Sequence, residues 1–293
     1  MDLLFTIVEQ GLIYGLLALG IYITYKILDF PDLTVDGSFP LGAAVTAILI
    51  KNGMNPYLTL PISFLAGAVA GMCTGLIHVK FKVRDLLSGV IVMTGLYTIN
   101  MLVAGTNNLP IFSCETIFKN NWLDKIFGGE IPDYSKLLII LIVVLLAKLL
   151  LDFFLNTQAG YLLRAVGDND TLVTSLAKDK GNVKIIGLAI SNGLVSLSGC
   201  VFCQEQKVFE ISSGTGALVL GLASVIIGTS LLKGFTFIKA TSSVVIGSIL
   251  YKACVAIAIR NFEPVFMKLI TAVLFLVILI ISMDRKKKVK GNA

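Results

Sequence analysis

The stretch of the chain with the greatest potential for chemistry is residues 28–40, which reads LDFPDLTVDGSFP. It combines three carboxylates with Pro31 and Pro40, directly before a short apolar run. Because proline removes a backbone donor and interrupts a helix, we expect free backbone groups here that a polar solute could contact. The alternative is a turn in which Asp36 caps the following helix. The side chains of this stretch that we expect to line a solute pathway are Asp32, Thr34, Asp36 and Ser38.

Polar side chains inside apolar segments are the second group of candidates. Such residues are costly in a membrane unless they pair or face a water-filled cavity, so they often mark transport pathways. Helix packing is the alternative role. The residues of this kind that we expect in the pathway are Tyr97, Asn100, Ser191 and Asn192. Among charged residues, Lys148 and Asp152 have the spacing of a pair on one helix face, whereas Lys252 lies deep in an apolar run.

The chain lacks the sequence patterns of common catalytic sites. No Gly-x-x-x-x-Gly-Lys-Ser/Thr pattern occurs, so the chain is not expected to bind ATP through a Walker loop. His78 is the single histidine, which excludes a His-Glu-x-x-His zinc site. Cys200 and Cys203 form one isolated pair and are expected to pack as small apolar residues. We therefore expect no enzymatic activity and no bound metal or cofactor.

The elements that must position these residues are membrane helices. Of 293 residues, 56% are hydrophobic and 14% charged, whereas soluble domains carry about 25% charged residues. Apolar runs long enough to span a bilayer are found at residues 3–25, 57–79, 86–105, 137–155, 185–203, 214–231, 236–259 and 264–283. The run 37–50 is too short to cross alone and is expected to be broken or re-entrant. The composition predicts one all-α polytopic bundle over residues 1–293, with eight or nine spans.

The basic residues predict the orientation of these spans, because loops rich in Lys and Arg remain in the cytoplasm. With the basic tail 284–293 inside, fifteen basic residues fall in inner loops and six in outer loops. Residues 156–184 then form a cytoplasmic loop that could contain a short helix, and residues 106–136 form an extracytoplasmic loop. The N-terminus lies outside if the run 37–50 crosses the membrane, and inside if this run is re-entrant.

A weak internal similarity relates two of the apolar segments. Residues 37–44 and 216–223 share Gly, Leu, Gly and Ala at the same offsets. The two segments run in opposite directions if the first one crosses, and inverted repeats with broken helices are common in transporters. Gly, Leu and Ala are frequent in all membrane helices, so the similarity is also compatible with chance.

Four ordered motifs make the chain resemble a known family. They are LDFPDLTVDGSF at 28–39 with LGAA at 41–44, MTGLYTIN at 93–100, LAISNGLVSLSG at 188–199 and GLASVIIG at 221–228. Together they resemble the bacterial ABC importer permeases of the branched-chain amino acid/ribose type, and in particular a subgroup associated with tryptophan and tyrosine transport. This resemblance implies a permease subunit in the bacterial cell membrane, paired with a second permease copy. It also implies cytoplasmic ABC ATPase subunits that hydrolyse ATP, and a solute-binding lipoprotein outside; no nucleic acid is implied.

The resemblance also implies where the ATPase docks. Residues 163–169, LRAVGDN, match the Arg-Ala-x-Gly-Asp-Asn pattern of the family at its ATPase-coupling helix. The coupling residues implied in this sequence are Arg164, Ala165, Gly167, Asp168 and Asn169. After residue 177 the sequence KDKGNV departs from the usual Gly-Ile/Asn turn of the family, so the docking register beyond that point is not implied.

The sequence leaves the solute open. An aromatic amino acid is the leading expectation, and branched-chain amino acids, sugars and nucleosides are the alternatives within the class. From a different class, an ion-coupled secondary transporter would need a coupling site such as Glu9 with Asn100 and would act without an ATPase. The sequence does not determine the transport rate, or whether the two permease copies are identical.

Overall fold

The computed structural model describes residues 2–120, 133–168, 180–231, 239–261, 269 and 271–280. Its helices are α1 (Asp2–Ile21), α2 (Val35–Lys51), α3 (Pro56–Lys80), α4 (Asp85–Ala104), α5 (Asp133–Leu155), α6 (Gln158–Asp168), α7 (Lys180–Gln206), α8 (Ala217–Leu231), α9 (Ala240–Asn261) and α10 (Thr271–Ile280). A π-helical turn, Tyr22–Ile27, continues α1, and a 3-10 turn, Ile211–Gly214, precedes α8. Strands β1 (Asn108–Pro110) and β2 (Val208–Glu210) pair antiparallel.

The predicted polytopic helical bundle is confirmed. Within the described ranges, seven segments are long and apolar enough to cross a membrane: α1 with its π-helical turn, α3, α4, α5, α7, the 3-10 turn with α8, and α9. The predicted short run 37–50 corresponds to α2, and α10 is the described part of the predicted span 264–283. These two helices bring the count close to the expected eight or nine. The basic tail 284–293 lies outside the described residues.

Helix α7 is the centre of the bundle. Its most apolar window is 78% buried inside the protein, against 28% for α4 and for α5. It packs against α1, α2 and α3. Glycines on α3 permit this contact, because a Cβ on Gly67 or Gly71 would overlap the backbone carbonyl oxygens of Asn192 and Leu188 in α7. Small residues at four-residue spacing let helix backbones approach closely in lipid, so α3 and α7 form a tight antiparallel pair.

The chain from Leu28 to the end of α2 leads from one end of the bundle, where Leu28 lies against Gly167 of α6, to the other. Just before α2 begins, the hydroxyl of Thr34 lies 2.7 Å from the hydroxyl of Thr74, which belongs to the last third of α3. Near the end of α2, Ile50 packs with Leu109 and Phe209 of the two strands, close to the beginning of α3. We call these ends the α6 side and the sheet side. The run 37–50 therefore continues to the sheet side and is not re-entrant, so residues 28–51 complete a crossing that places the first residues of α1 on the opposite side from α6.

Contacts between neighbouring helices give the directions of the remaining spans. The pairs that establish them are Ser198 with Ile13, Ser191 with Gly20, Gly11 with Ile249, Gly15 with Val245, Gly228 with Ser243, and Gly247 with Ser224. In each pair of helices, the residue numbers along one helix rise as those of the contacting residues in the other helix fall. Thus α1 is antiparallel to α7 and α9, α9 is antiparallel to α8, and α8 therefore runs opposite to α2.

Pro40 does not interrupt α2, contrary to the expectation from sequence. The helix continues through it from Val35 to Lys51. A proline inside a helix leaves the carbonyl four residues earlier without its usual donor. Here that carbonyl belongs to Asp36, and a Cβ on Gly214 would overlap its oxygen. The 3-10 turn before α8 therefore packs directly on the gap that Pro40 creates.

The described part of the loop 106–136 is a folded cap on the sheet side. Its strand β1 pairs with β2 so that Leu109 lies opposite Phe209. The side chain of Gln204, at the end of α7, accepts a hydrogen bond from the backbone N–H of Ile117 at 3.0 Å and donates to the Oγ1 of Thr59 at 3.0 Å. Because these partners come from three elements, the cap is fixed to α3 and α7.

Candidate substrate pathway and docking helix

A buried network, which we call the polar joint, connects the segment before α2 to α3 and α7. Its members are Asp32, Thr34, Ser38, Thr74 and Asn192. The carboxylate of Asp32 accepts hydrogen bonds from Asn192 Nδ2 at 2.7 Å and from the backbone N–H of Thr34 at 2.9 Å. Ser38 Oγ donates to Asn192 Oδ1 at 2.7 Å. Four predicted pathway residues are thus brought together, and all four are at most 1% exposed.

The burial of the polar joint indicates a positioning role inside one protomer. A buried charge is strongly destabilising unless hydrogen bonds compensate it, and a satisfied network is correspondingly rigid. Asp32 is fully enclosed and both of its oxygens are used within the network. The polar joint therefore holds the start of α2 at a fixed place on α7.

Asp36 stands apart from the polar joint and connects two helix beginnings. Its carboxylate accepts hydrogen bonds from the backbone N–H groups of Leu218 at 2.8 Å and Gly216 at 3.1 Å. It lies in the first turn of α2 yet caps α8, a helix 180 residues further along the chain. Because α2 and α8 run in opposite directions from this point, the carboxylate lies between two positive helix ends. We call Asp36, Gly214, Thr215 and Gly216 the helix junction.

The helix junction lies halfway along the bundle and reaches the protomer surface. Asn100 Nδ2 donates to the carbonyl oxygen of Gly37 at 3.0 Å. A Cβ on Gly37 would lie 3.0 Å from the Cβ of Leu96 and 3.3 Å from the Cα of Met93, so the residue after Asp36 is fixed against the middle of α4. Thr215 and Gly216 are exposed and Asp36 is half-buried. Broken helices whose N-termini meet near the midplane are typical of solute sites in transporters. Of the predicted pathway residues, Asp36 is therefore the one at this opening, and Asn100 is fully buried behind it against Gly37.

Tyr97 is placed on the outer surface of the protomer. It is 54% exposed and lies on α4 one residue after the buried Leu96, whose side chain faces Gly37. Thr94 and Thr98 are also exposed on this helix. We call Thr94, Tyr97 and Thr98 the α4 polar face. Tyr97 is thus close in sequence to the junction contacts, but it is not part of the polar joint.

Ser191 occupies a helix-packing position. Its Oγ donates to the backbone carbonyl oxygen of Gly20 at 2.7 Å, which fixes α1 to α7. Its side chain is fully buried and directed away from the Asp32 contact of the neighbouring Asn192. The structure therefore places Ser191 beside the polar joint rather than in it.

Sequence reasoning missed three residues that these sites require. Thr74 meets Thr34 across two helices, and the backbone amides of Gly216 and Leu218 hold Asp36. Thr74 gave no signal, because an isolated threonine is ordinary in a membrane helix. The similarity of segment 216–223 to segment 37–44 is the sequence signal that could have led to Gly216, since the two segments begin side by side at the helix junction.

In the described parts of the spans, the three charged residues that the sequence singled out, Lys148, Asp152 and Lys252, have structural partners. Lys148 Nζ lies 3.3 Å from the carboxylate of Asp152, which confirms the predicted pair on one helix face. The same carboxylate accepts a hydrogen bond from Thr241 Oγ1 at 2.6 Å, at the start of α9. Lys252 Nζ lies 3.8 Å from the centre of the Tyr14 ring, a cation–π contact between α9 and α1. These groups fix α5 and α1 to α9.

Helix α6 has one face on the bundle and one face exposed. Leu163 and Val166 are buried, whereas Tyr161 and Arg164 are exposed, with the Arg164 guanidinium 6.0 Å from the Tyr161 ring centre. Ala165 and Gly167 are half-buried. A Cβ on Gly167 would overlap the carbonyl oxygen of Ile27, so Gly167 faces the π-helical turn. The helix predicted in loop 156–184 is present; Asp168 is its last residue, and Asn169 lies outside the described residues.

Comparisons with known proteins agree with this architecture. A family profile described as "Branched-chain amino acid transport system / permease component" matches residues 3–283. The chain is 43% identical, over 94% of its length and 89% of the other protein, to the tyrosine transport system permease protein of Clostridioides difficile. It is 25% identical to a ribose import permease protein of Escherichia coli, over 79% of this chain and 70% of that one. No solved structure matches the chain.

Proposed function

The chain belongs to the family of branched-chain amino acid transport system permease components, and we propose that it imports an aromatic amino acid as the membrane subunit of an ATP-driven transporter. The observation that carries the proposal is its 43% identity, over nearly the whole chain, to a tyrosine transport permease. Tyrosine is accordingly the first substrate to test. An extracytoplasmic binding protein would deliver it on the sheet side.

Helix α6 is the proposed docking site of the ATPase. Its exposed face carries Tyr161 and Arg164, and its opposite face is packed on the bundle. A short rigid helix held in this way can fit a groove on a partner and move as one body. The excess of basic residues in the predicted inner loops supports a cytoplasmic position for this side and for the C-terminus.

A second copy of the chain would complete the pathway. The α4 polar face and the helix junction both lie on the protomer surface at mid-bundle height. A tyrosine hydroxyl, a half-buried carboxylate and the exposed non-helical backbone of Thr215 are poorly suited to lipid but well suited to a hydrated cleft between two protomers. Tyr97 would then contact the solute from the wall of that cleft, which would give the predicted pathway role of this residue a physical basis.

Affinity purification of the tagged chain from its own membranes tests the ATPase partnership. We expect a Walker-containing ATPase to co-purify, and the double variant Arg164→Ala/Asp168→Ala to lose it, because the exposed guanidinium and the helix terminus would form the contact. Gln158→Ala, an exposed change at the other end of α6, is the matched control. An ATPase retained by the double variant would move the docking site elsewhere. No ATPase under mild detergent would contradict the importer and favour an ion-coupled secondary transporter.

Uptake into vesicles containing the assembled transporter tests the substrate. We expect radiolabelled tyrosine to accumulate only with ATP and binding protein, and to be competed by phenylalanine and tryptophan more strongly than by leucine or ribose. Tyr97→Ala should lower the uptake of tyrosine at limiting substrate by about tenfold if the ring contacts the solute, the equivalent of ~1.4 kcal/mol. Accumulation of leucine or ribose in preference to tyrosine would contradict the aromatic assignment.

The secondary transporter is the second candidate. It would use ion coupling without any ATPase, and Glu9 with Asn100 was its expected site. In the structure the Asn100 amide is used to hold Gly37. Tyrosine accumulation by the purified chain alone, driven by an ion gradient in the absence of ATP, would establish this alternative.

A further inference from the structure

The segment between α1 and α2 connects the docking helix to the helix junction. It consists of the π-helical turn Tyr22–Ile27 and residues 28–36. We propose that this segment, which we call the transmission segment, is the part of the permease that carries movement of α6 to the pathway, with Gly167 and Asp32 as its positioning residues. The inference rests on the proposed function, because it requires an ATPase that moves α6.

The first step of the argument is the contact between α6 and the π-helical turn. A Cβ on Gly167 would overlap the carbonyl oxygen of Ile27 and lie 3.2 Å from the Cα of Leu28. The two backbones therefore touch directly, without an intervening side chain. A contact between two main chains has little freedom to yield, so a displacement of α6 is passed on to Ile27 and Leu28.

The second step is the irregular backbone of the transmission segment. The N–H of Leu28 donates to the carbonyl of Ile23 at 2.9 Å, and the N–H of Phe30 to that of Thr24 at 2.9 Å. Asp29 has a φ of 51°, in the left-handed region. π-helical turns inside α-helices are frequent at functional sites. A backbone with this wide hydrogen-bond pattern can shift relative to α1 while the rest of α1 remains on α7.

The third step is the polar joint, which prevents the far end of the segment from moving independently of α2. Asp32 is held by Asn192, and Asn192 in turn accepts from Ser38 in α2. Four residues after Asp32, Asp36 holds the beginning of α8. A push at Ile27 is therefore delivered to the two helix beginnings that form the opening at mid-bundle height.

Two variants test the proposal in proteoliposomes with ATPase and binding protein, where ATP hydrolysis and tyrosine uptake are measured together. Gly167→Ala should leave the ATPase bound and hydrolysis within about twofold, but lower the tyrosine taken up per ATP by about tenfold, a typical magnitude for coupling between sites. Gly15→Ala is the matched control, because it adds the same methyl group in α1 against side chains of α9, Ser248 Oγ at 3.1 Å and Val245 Cγ1 at 3.4 Å, away from the transmission segment.

Asp32→Asn provides the second test. The amide keeps one acceptor oxygen for two donors, Asn192 Nδ2 and the Thr34 N–H, so one of these hydrogen bonds is lost and uptake per ATP should again fall by about tenfold. The reciprocal variant Asp32→Asn/Asn192→Asp restores a donor opposite an acceptor and should recover uptake in part. We expect incomplete recovery, because Asn192 also donates a hydrogen bond to the carbonyl of Leu188, and an aspartate at position 192 has no donor for it.

Each outcome decides the proposal. Normal uptake per ATP in both Gly167→Ala and Asp32→Asn would overturn it, as would equal loss in the control Gly15→Ala. A parallel fall of hydrolysis and uptake, with a lower melting temperature, would show a merely structural role and also overturn it. If Asp32→Asn does not fold, Gly167→Ala decides alone. Absence of ATPase binding in the unmodified chain would instead contradict the proposed function.

Discussion

A chain carrying Gly42→Leu is expected to give no folded protein in the membrane. Gly42 lies where α2 crosses α7, and a Cβ at this position would overlap the carbonyl oxygen of Ser196 and lie 2.7 Å from its Oγ. The carbonyl of Gly42 also accepts hydrogen bonds from Thr46 Oγ1 at 2.7 Å and Ser63 Oγ at 3.3 Å. A leucine would separate the helices and break these contacts. Fluorescence-detected size exclusion of a tagged chain would measure the loss.

The smaller change Gly42→Ala makes this prediction quantitative. Overpacking of a filled interior costs about 1–3 kcal/mol, which exceeds the ~1 kcal/mol that alanine gains over glycine in a helix. The melting temperature should therefore fall. Gly15→Ala is the matched control, because its Cβ would first meet side-chain atoms, Ser248 Oγ at 3.1 Å and Val245 Cγ1 at 3.4 Å, and would lie at an ordinary contact distance of 3.8 Å from the Cα of Val245. Equal melting temperatures for Gly42→Ala and the unmodified chain would contradict the tight crossing of α2 and α7.

The second large effect is expected at the helix junction. Asp36→Asn should leave the protein folded but reduce tyrosine uptake by an order of magnitude, because about 1.4 kcal/mol between two states is tenfold in their ratio. The carboxylate now accepts from Gly216 and Leu218 between two positive helix ends. Charge-assisted hydrogen bonds are worth about 1.5–3 kcal/mol each. The amide would keep one acceptor, lose the charge, and turn its own N–H groups toward the N–H of Gly216 or Leu218 that loses its acceptor.

Asp29→Asn is the control for this experiment. It removes one carboxylate from the same segment, but Asp29 is exposed and its positive φ is tolerated by asparagine. Uptake by Asp29→Asn should equal that of the unmodified chain. Full uptake by Asp36→Asn would show that the helix junction is not part of the working pathway. Loss of folded protein in Asp36→Asn would instead reveal a structural role alone.

The class of fold and the spans were largely determined by the sequence. Long apolar runs with few charges have no stable alternative to membrane helices, since lipid offers no partners for backbone groups. The boundaries of α3 and α4 therefore fall within a few residues of the apolar runs 57–79 and 86–105. The short helix α6 was also accessible, because its polar and apolar residues alternate with helical spacing. The sequence motifs likewise identified the family that the profile confirms.

The roles of individual polar residues were decided by the tertiary structure. Asp32 and Asp36 stand four residues apart in one motif. Yet the first is enclosed against Asn192 and the second opens to the surface while capping α8. A sequence shows which side chains can form hydrogen bonds, but it does not show which distant helix will supply their partners. Partners separated by 160 or 180 residues are set by helix crossing.

The same reasoning explains Pro40 and Gly167. Proline predicted a break in α2, but the helix continues through Pro40, and the 3-10 turn before α8 packs against the carbonyl that this residue leaves unpaired. Gly167 was expected to serve ATPase coupling, and only the structure shows that it touches the backbone of Ile27. Apolar periodicity and charge bias are local properties of the chain and can be read from it directly. Where and how closely two helix backbones approach each other depends on how all the helices pack together, so only the folded bundle determines this.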